Sequence, residues 1–206
     1  MKIKMELISD VIFGNGMSIP GAEDTSVLCD EYGFPYYKGS TFKGIIREEY
    51  ERYMHWTGCN DNDIRKEISK LFGENGDDAA EDKIIFSDFE ISGYVKKTVL
   101  NELMAAKLVD NHKLTLNSIK KINSNMVLDL FTNIRTFTKM NDKGVAQTGS
   151  LRMARCVNKG LYLYSEVLCA SDDEKILKEV ICSVKWLGSM RNRGFGKVKL
   201  TIEEDA

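Results

Sequence analysis

Apolar periodicity switches between an alternating and a helical repeat along this chain, in an order that leaves few folds open. Ile3, Met5, Leu7, Val11 and Phe13 all fall on odd positions, so residues 3–13 are expected to form a strand with one buried face. Phe42, Ile45, Ile46 and Tyr50 give residues 40–56 a helical apolar stripe, with Ser40 as its N-cap. A second helix, 61–71, stops at Gly73 before an acidic loop, and 83–89 reads as a strand. Residues 160–168 alternate again through Leu161 and Leu163. Residues 172–187 put Ile176, Leu177, Val180, Ile181 and Val184 on one helical face behind a cap at Ser171 or Asp172, and 198–202 is a closing strand. Residues 99–130 are helical in parts and have no place in a small compact fold, so they read as an insertion. Without insertions the order is strand, helix, strand, strand, helix, strand. That is the βαββαβ plan of an α+β, ferredoxin-like (RRM-type) core. The expectation is one domain over 1–206, with inserted, partly helical segments at about 57–82 and 92–130.

Composition narrows the class of function. A hydrophobic fraction of 43% supports a packed core, and no apolar run reaches membrane-spanning length, so no membrane association is expected. The polar start MKIKMELISD lacks the hydrophobic stretch of a signal peptide. Five scattered cysteines without a C-x-x-C pair point to a reduced, cytoplasmic protein. His55 and Cys59 lie four apart, but two ligands do not make a zinc site. Net charge is −2, so a nucleic-acid site would need local clustering. Clustering is present: residues 135–199 hold 13 Lys/Arg against 6 Asp/Glu, whereas 61–110 hold 7 against 12.

Two short passages concentrate the chemistry. In the first, Lys38-Gly39-Ser40-Thr41 leads into a predicted helix, where free backbone N–H groups and hydroxyls suit a phosphate. Lys43 and Arg47 follow on one helical face. A plain capped helix with a solvated basic face would look the same. The second passage is Gly188-Ser189-Met190-Arg191-Asn192-Arg193-Gly194-Phe195-Gly196, between a helix and the last strand. Its glycines permit positive φ or close backbone approach, and Arg191 and Arg193 bring guanidinium groups. It follows a helix rather than a strand and lacks G-K-[ST], so it is neither a dinucleotide fingerprint nor a Walker loop.

Together these passages resemble the paired signatures of RAMP-superfamily CRISPR proteins. The stretch from Gly14-Asn15-Gly16 through Gly21-Ala22-Glu23-Asp24 to Asp30 and Pro35 sharpens the resemblance to the backbone subunits of type III effector complexes. So do Leu71-Phe72-Gly73, Ile84-Ile85-Phe86-Ser87-Asp88 and Gly160-Leu161-Tyr162-Leu163. The chain departs from the pattern at Ser26, where a proline is common, and at Glu23, a second acid beside Asp24.

The resemblance implies a subunit that polymerises along a guide RNA (crRNA), beside further copies of itself and other CRISPR effector subunits. It implies a β-hairpin thumb at about 131–158 that presses between guide and complementary target RNA. It also implies endoribonuclease cleavage of the target, with Asp24 as catalytic residue and ligand to Mg²⁺ or another divalent cation; Glu23 and Asp24 both stay candidates. The implied RNA contacts are Lys38, Ser40, Thr41, Lys43, Arg47, Arg135, Lys139, Arg152, Arg155, Gly188, Arg191, Arg193 and Phe195. Two other readings stand beside this one: a non-catalytic RNA scaffold, and a guide-processing endoribonuclease. The second would need a histidine, and only His55 and His112 are present.

Overall fold

A computed structural model describes residues 1–73, 84–108, 124–169 and 174–203. β1 (Lys2–Leu7) buries Ile3, Met5 and Leu7, as the alternation predicts. It lies at the centre of an antiparallel sheet between β7 (Val198–Glu203) and β6 (Tyr162–Leu168). β2 (Ile85–Phe86) and β3 (Glu90–Ile91) share the outer edge of β6. The order β2/β3, β6, β1, β7 is that of a ferredoxin-like sheet, in which the first and last strands are neighbours. Helices α1 (Gly39–Trp56), α2 (Asp61–Phe72) and the later Glu174–Ser183 helix cover one face, and Phe42, Ile46, Tyr50, Leu177, Val180 and Ile181 close the core against β1.

Three departures from expectation have local causes. The first strand ends at Leu7 because Ile8 and Ser9 both donate to the Lys197 carbonyl (2.9 and 3.2 Å), which bends the chain out of the sheet. Val11 then pairs with Val157, and Asp10 is buried at the bend. Of the strand expected over 83–89 only Ile85–Phe86 is regular, because Ser87 Oγ accepts the Glu166 N–H (2.8 Å) in place of a backbone carbonyl; pairing with β6 resumes at Glu90–Ile91, and Lys83 lies outside the described residues. The helix expected over 172–187 ends at Ser183, after which Trp186 bridges Lys197; its expected cap lies outside the described residues.

The insertion contributes α3 (Gly93–Leu108) and α4 (Ser124–Phe131). Val99, Leu100 and Leu103 of α3 pack with Val127 and Phe131 of α4 around Phe34 and Ile91, a second, smaller core. The Glu174–Ser183 helix is α5. β4 (Thr132–Phe137) and β5 (Arg152–Val157) form the separate hairpin that was expected as a thumb. All five cysteines are free, and none of the described helices is long and apolar enough to cross a membrane.

Candidate nucleic-acid interface

Antiparallel pairing decides what each side of the hairpin presents. Asn133, Arg135 and Phe137 stand opposite Cys156, Ala154 and Arg152, so these six side chains share one face. Ala154 and Cys156 are buried there with Ile12, and Phe137, Met190 and Phe195 pack on them. The Phe137 and Phe195 rings meet edge to face at 5.6 Å. The glycine-rich loop is therefore docked on the β4–β5 hairpin. Gly196 has φ +83° and a Cβ there would lie 2.0 Å from the Leu187 carbonyl oxygen; at Gly188 it would lie 2.6 Å from that of Ile12. These two glycines are required by the close approach. Met190 adopts a left-handed φ of 57°, turning Arg191–Arg193 outward as a single exposed 3-10 turn.

Between thumb and loop runs a groove lined by Phe137, Thr138, Lys139, Ser150, Arg152 and Arg193. Among the described residues Lys139 and Arg193 have no acidic partner within 4.0 Å, so their charge is open to an anion. Arg191 lies near Tyr37: burial pushes that phenol up to about 12, and the Arg191 charge offsets part of the rise. The C-terminal loop thus also approaches the start of α1.

The other two arginines of the hairpin are engaged by acids of the protein. Arg155 is on the opposite face of the hairpin, mostly buried, and donates to Glu23 Oε2 (2.8 Å), Asp129 Oδ1 (2.6 Å) and Thr132 Oγ1 (2.9 Å). It is a structural hub, with little of its side chain left exposed for the RNA contact expected of it. Arg135 donates to Asp10 Oδ2 through Nε (3.1 Å) and Nη2 (2.6 Å), though its side chain is half exposed. Burial raises the Asp10 pKa, but hydrogen bonds from Arg135, the Lys159 N–H and Asn133 outweigh it, holding the carboxyl below its ordinary value.

The two candidate acids separate cleanly. Glu23 points inward to Arg155 with a nearly inaccessible side chain and also accepts from Ser26 Oγ (3.4 Å). Asp24 points outward with 44% of its side chain exposed. Its segment is not a free glycine-flanked loop. The Asp24 N–H donates to the Met153 carbonyl (2.8 Å), Asp24 Oδ2 accepts the Met153 N–H (2.7 Å), and Thr25 forms a parallel bridge to Ala154. Asp24 is mounted on the outer edge of β5. Its other oxygen, Oδ1, faces Arg152 Nη1 at 3.6 Å.

The start of α1 also differs from expectation. The helix begins at Gly39 with Lys38 as N-cap residue and no side-chain cap, so Ser40 does not cap it. Instead Asp88 Oδ1 accepts the Gly39 N–H (2.8 Å), placing a carboxylate where a phosphate was expected. Lys38, Ser40 and Thr41 are exposed around this end, and Lys43 and Arg47 are half-buried further along α1, outside the groove lining.

Sequence reasoning missed Asp10, Asp129, Phe137 and the capping role of Asp88. Asp88 and Phe137 lie in stretches that the sequence marks, whereas nothing marks Asp10 or Asp129. His55 lies near Asp61 (3.9 Å), and Cys59 falls beyond the helix end, so the two do not share a helical face. His112 is outside the described residues.

The open face of the sheet is a poorer RNA platform. Lys2 sits between Glu166 and Glu203 on the neighbouring strands, while Lys2 and Lys4 lie over the Tyr164 and Tyr162 rings (5.4 and 4.6 Å). These two cations and two aromatic faces are already engaged.

Among the described residues no group of three or more His, Cys, Asp or Glu side chains converges to hold a metal. Asp24 offers one oxygen free of the Met153 bond. One such oxygen does not make a metal site built by protein alone; a divalent cation held there would need its remaining ligands from water and a bound partner.

The family model for the RAMP superfamily matches residues 4–199. The chain belongs to the RAMP superfamily. No curated protein sequence matches it. Similar folds are found in two cryo-EM structures. One is the Type III-B Cmr-beta bound to cognate target RNA, in which a chain aligns with TM-score 0.62 at 15% identity, over 97% of this chain and 95% of that one. The other is the apo state of the Type III-B Cmr-beta, with TM-score 0.63 at 17% identity and the same coverage. The RAMP fold thus extends over the sheet, the thumb and the C-terminal loop that build the groove.

Proposed function

We propose that this RAMP protein is a guide-RNA-binding backbone subunit of a type III CRISPR effector complex, and that it cleaves the bound target RNA. Its partners would be crRNA, complementary target RNA, further copies of itself and other effector subunits. The observation that carries the reading is the position of Asp24. An exposed carboxylate is anchored to the thumb strand, against a cation that lines the groove. Likeness in fold to chains of a Type III-B complex supports the assembly, and the charge of Lys139, Arg152 and Arg193 supports an RNA backbone in the groove.

The proposed chemistry asks little of the protein. Lys139, Arg152 and Arg193 hold phosphates and so orient the strand; Phe137, braced by Phe195 behind it, gives the groove a firm apolar surface. A 2′-hydroxyl held in line attacks the adjacent phosphorus, its proton leaves, and the bond to the 5′-oxygen breaks. Mg²⁺, when bound, would stabilise charge developing on the phosphate. Asp24 supplies the carboxylate oxygen that would hold it, and the Met153 N–H keeps that carboxylate aimed outward.

The test is target cleavage by the assembled complex carrying Asp24→Asn. Asparagine keeps an oxygen for the Met153 N–H and loses the charge. The target should be bound and left uncut, and wild-type cleavage should stop with EDTA or a 2′-deoxy substitution at the cut site. Cutting at the wild-type rate by Asp24→Asn would sink the catalytic part. The subunit would then be an RNA scaffold, a reading that the engagement of both Asp24 oxygens by Met153 and Arg152 favours.

A further inference from the structure

Glu23 and Asp24 are adjacent acids on a segment that runs along β5, and adjacent side chains of such a segment face opposite ways. Glu23 meets Arg155 on one side of the strand, and Asp24 faces Arg152 on the other. A shift of one residue along β5 would exchange the two acids. The backbone does not decide between these arrangements. Met153 and Arg155 offer the segment main-chain N–H and carbonyl groups, which serve any residue. Even the bond that Asp24 Oδ2 accepts comes from a main-chain N–H, open to either acid.

The Arg155 side chain can decide. It is mostly buried and held from several directions: Nη1 donates to Asp129 Oδ1 (2.6 Å) and Thr132 Oγ1 (2.9 Å), and that hydroxyl donates onward to the Leu128 carbonyl (2.7 Å). Nε is left for Glu23 Oε2 at 2.8 Å, while Ser26 Oγ donates to Glu23 Oε1 (3.4 Å). The Arg155 main-chain N–H also donates to the Thr25 carbonyl (2.9 Å). One residue thus holds both neighbours of Asp24. Fixing register is the best-attested use of a buried ion pair, and a guanidinium anchored by other partners favours the acid that reaches it.

We propose that Arg155 is a positioning residue: by binding Glu23 it selects which of two adjacent acids faces outward, and so keeps Asp24 on the groove side. That the outward acid matters for cleavage rests on the functional reading above. The choice between the acids does not.

The test reads carboxylate accessibility in the full chain. Carboxylates are coupled to glycine ethyl ester with a water-soluble carbodiimide, and mass spectrometry follows Glu23, Asp24 and Asp10 separately. Wild type should label at Asp24 and be protected at Glu23. Asp10, buried at the bend after β1, should stay protected in every folded variant. Arg155→Met keeps an apolar stem and removes the cation. Glu23 is then a buried charge without its partner, so it should turn to solvent and label as Asp24 does in wild type, while Asp24 slows. Arg155→Lys should restore much of the wild-type pattern. Glu23→Asp leaves Arg155 intact and shortens the reach by one methylene, so position 23 should again become labelled. This milder variant decides the matter if Arg155→Met exposes Asp10. In the assembled complex both variants should still bind target but cut it roughly a hundredfold more slowly, the effect of misplacing a reacting group by about 1 Å.

Protection at position 23 in a variant that keeps Asp10 protected would overturn the proposal, since the pair would then serve stability alone. Exchanged labelling with cleavage at the wild-type rate would overturn the positioning role, provided Asp24→Asn is inactive. If Asp24→Asn also cuts normally, exchanged labelling would uphold the selection by Arg155 and remove the catalytic reading of Asp24.

Discussion

Glu23 and Arg155 are joined at 2.8 Å with the carboxylate almost wholly buried, while the next side chain along the chain, Asp24, stands in solvent. Adjacent acids in a loop thus have opposite surroundings. Removing Glu23 leaves a mostly buried guanidinium with Asp129 as its only acidic partner among the described residues. Glu23→Gln should cost about 2–3 kcal/mol in urea unfolding, because a buried pair loses one member. Asp24→Asn should stay within about 0.5 kcal/mol of wild type, as exposed substitutions do. A Glu23→Gln variant as stable as wild type would show that the pair is not structural.

The groove cations make a prediction in salt. Each phosphate contact released on removing a cation should flatten the dependence of log affinity on log salt by about 0.7 for single-stranded RNA. Lys139→Ala and Arg193→Ala should each show this and weaken binding uniformly across RNA sequences. Arg155→Ala should weaken binding, if at all, through lost stability and with no change of slope. A slope change for Arg155→Ala alone would reverse the assignment of these side chains.

Asp10 gives the fold a dependence on pH. Its pKa is lower in the folded chain than its ordinary value, so the unfolded chain binds the proton more readily. The stability it contributes is complete above the ordinary value near 3.9 and is lost as pH falls through the folded value. Asp10→Asn should therefore be less stable than wild type at pH 7, by about 2 kcal/mol for a buried, multiply bonded carboxylate. The gap should begin to narrow near pH 4 and close only once pH has fallen below the folded value, where both side chains are neutral. Parallel acid-unfolding curves for the two proteins would contradict this.

Asp88→Ala should cost about 1 kcal/mol, the usual value of a lost helix cap, because the Gly39 N–H loses its acceptor. Ser40→Ala should cost nothing measurable by the same thermal melt. The reverse ranking would restore Ser40 as the cap.

The outline of the fold was legible because burial has a period. Ile3, Met5 and Leu7 on one strand and Phe42, Ile46 and Tyr50 on one helix each mark a single buried face, and those faces meet in the core. What stayed hidden depends on partners distant in sequence. Nothing local to Ser40 reveals that an aspartate 49 residues beyond Gly39 takes the first N–H of the helix. Nothing near Ser87 reveals that its hydroxyl would interrupt a strand. The candidate site was legible as residue types and not as roles. Arg152 and Arg155 differ by an odd number of positions and so must face opposite sides of a strand, but the sequence does not say which side meets the groove. Asp24 was visible as an acid among glycines, while its mounting on β5 arises from backbone bonds that any sequence could make.

That mounting has a geometric consequence. Because the segment around Asp24 is bonded along β5, the acid and the hairpin travel as one piece, and any tilt of the hairpin carries the carboxylate with it. Under the proposed function, the offset between where the hairpin enters the nucleic acid and where the strand is cut is then a property of the protein alone. Such a subunit measures RNA like a ruler: the position of a cut is counted from the hairpin, in nucleotides, whatever bases happen to lie there.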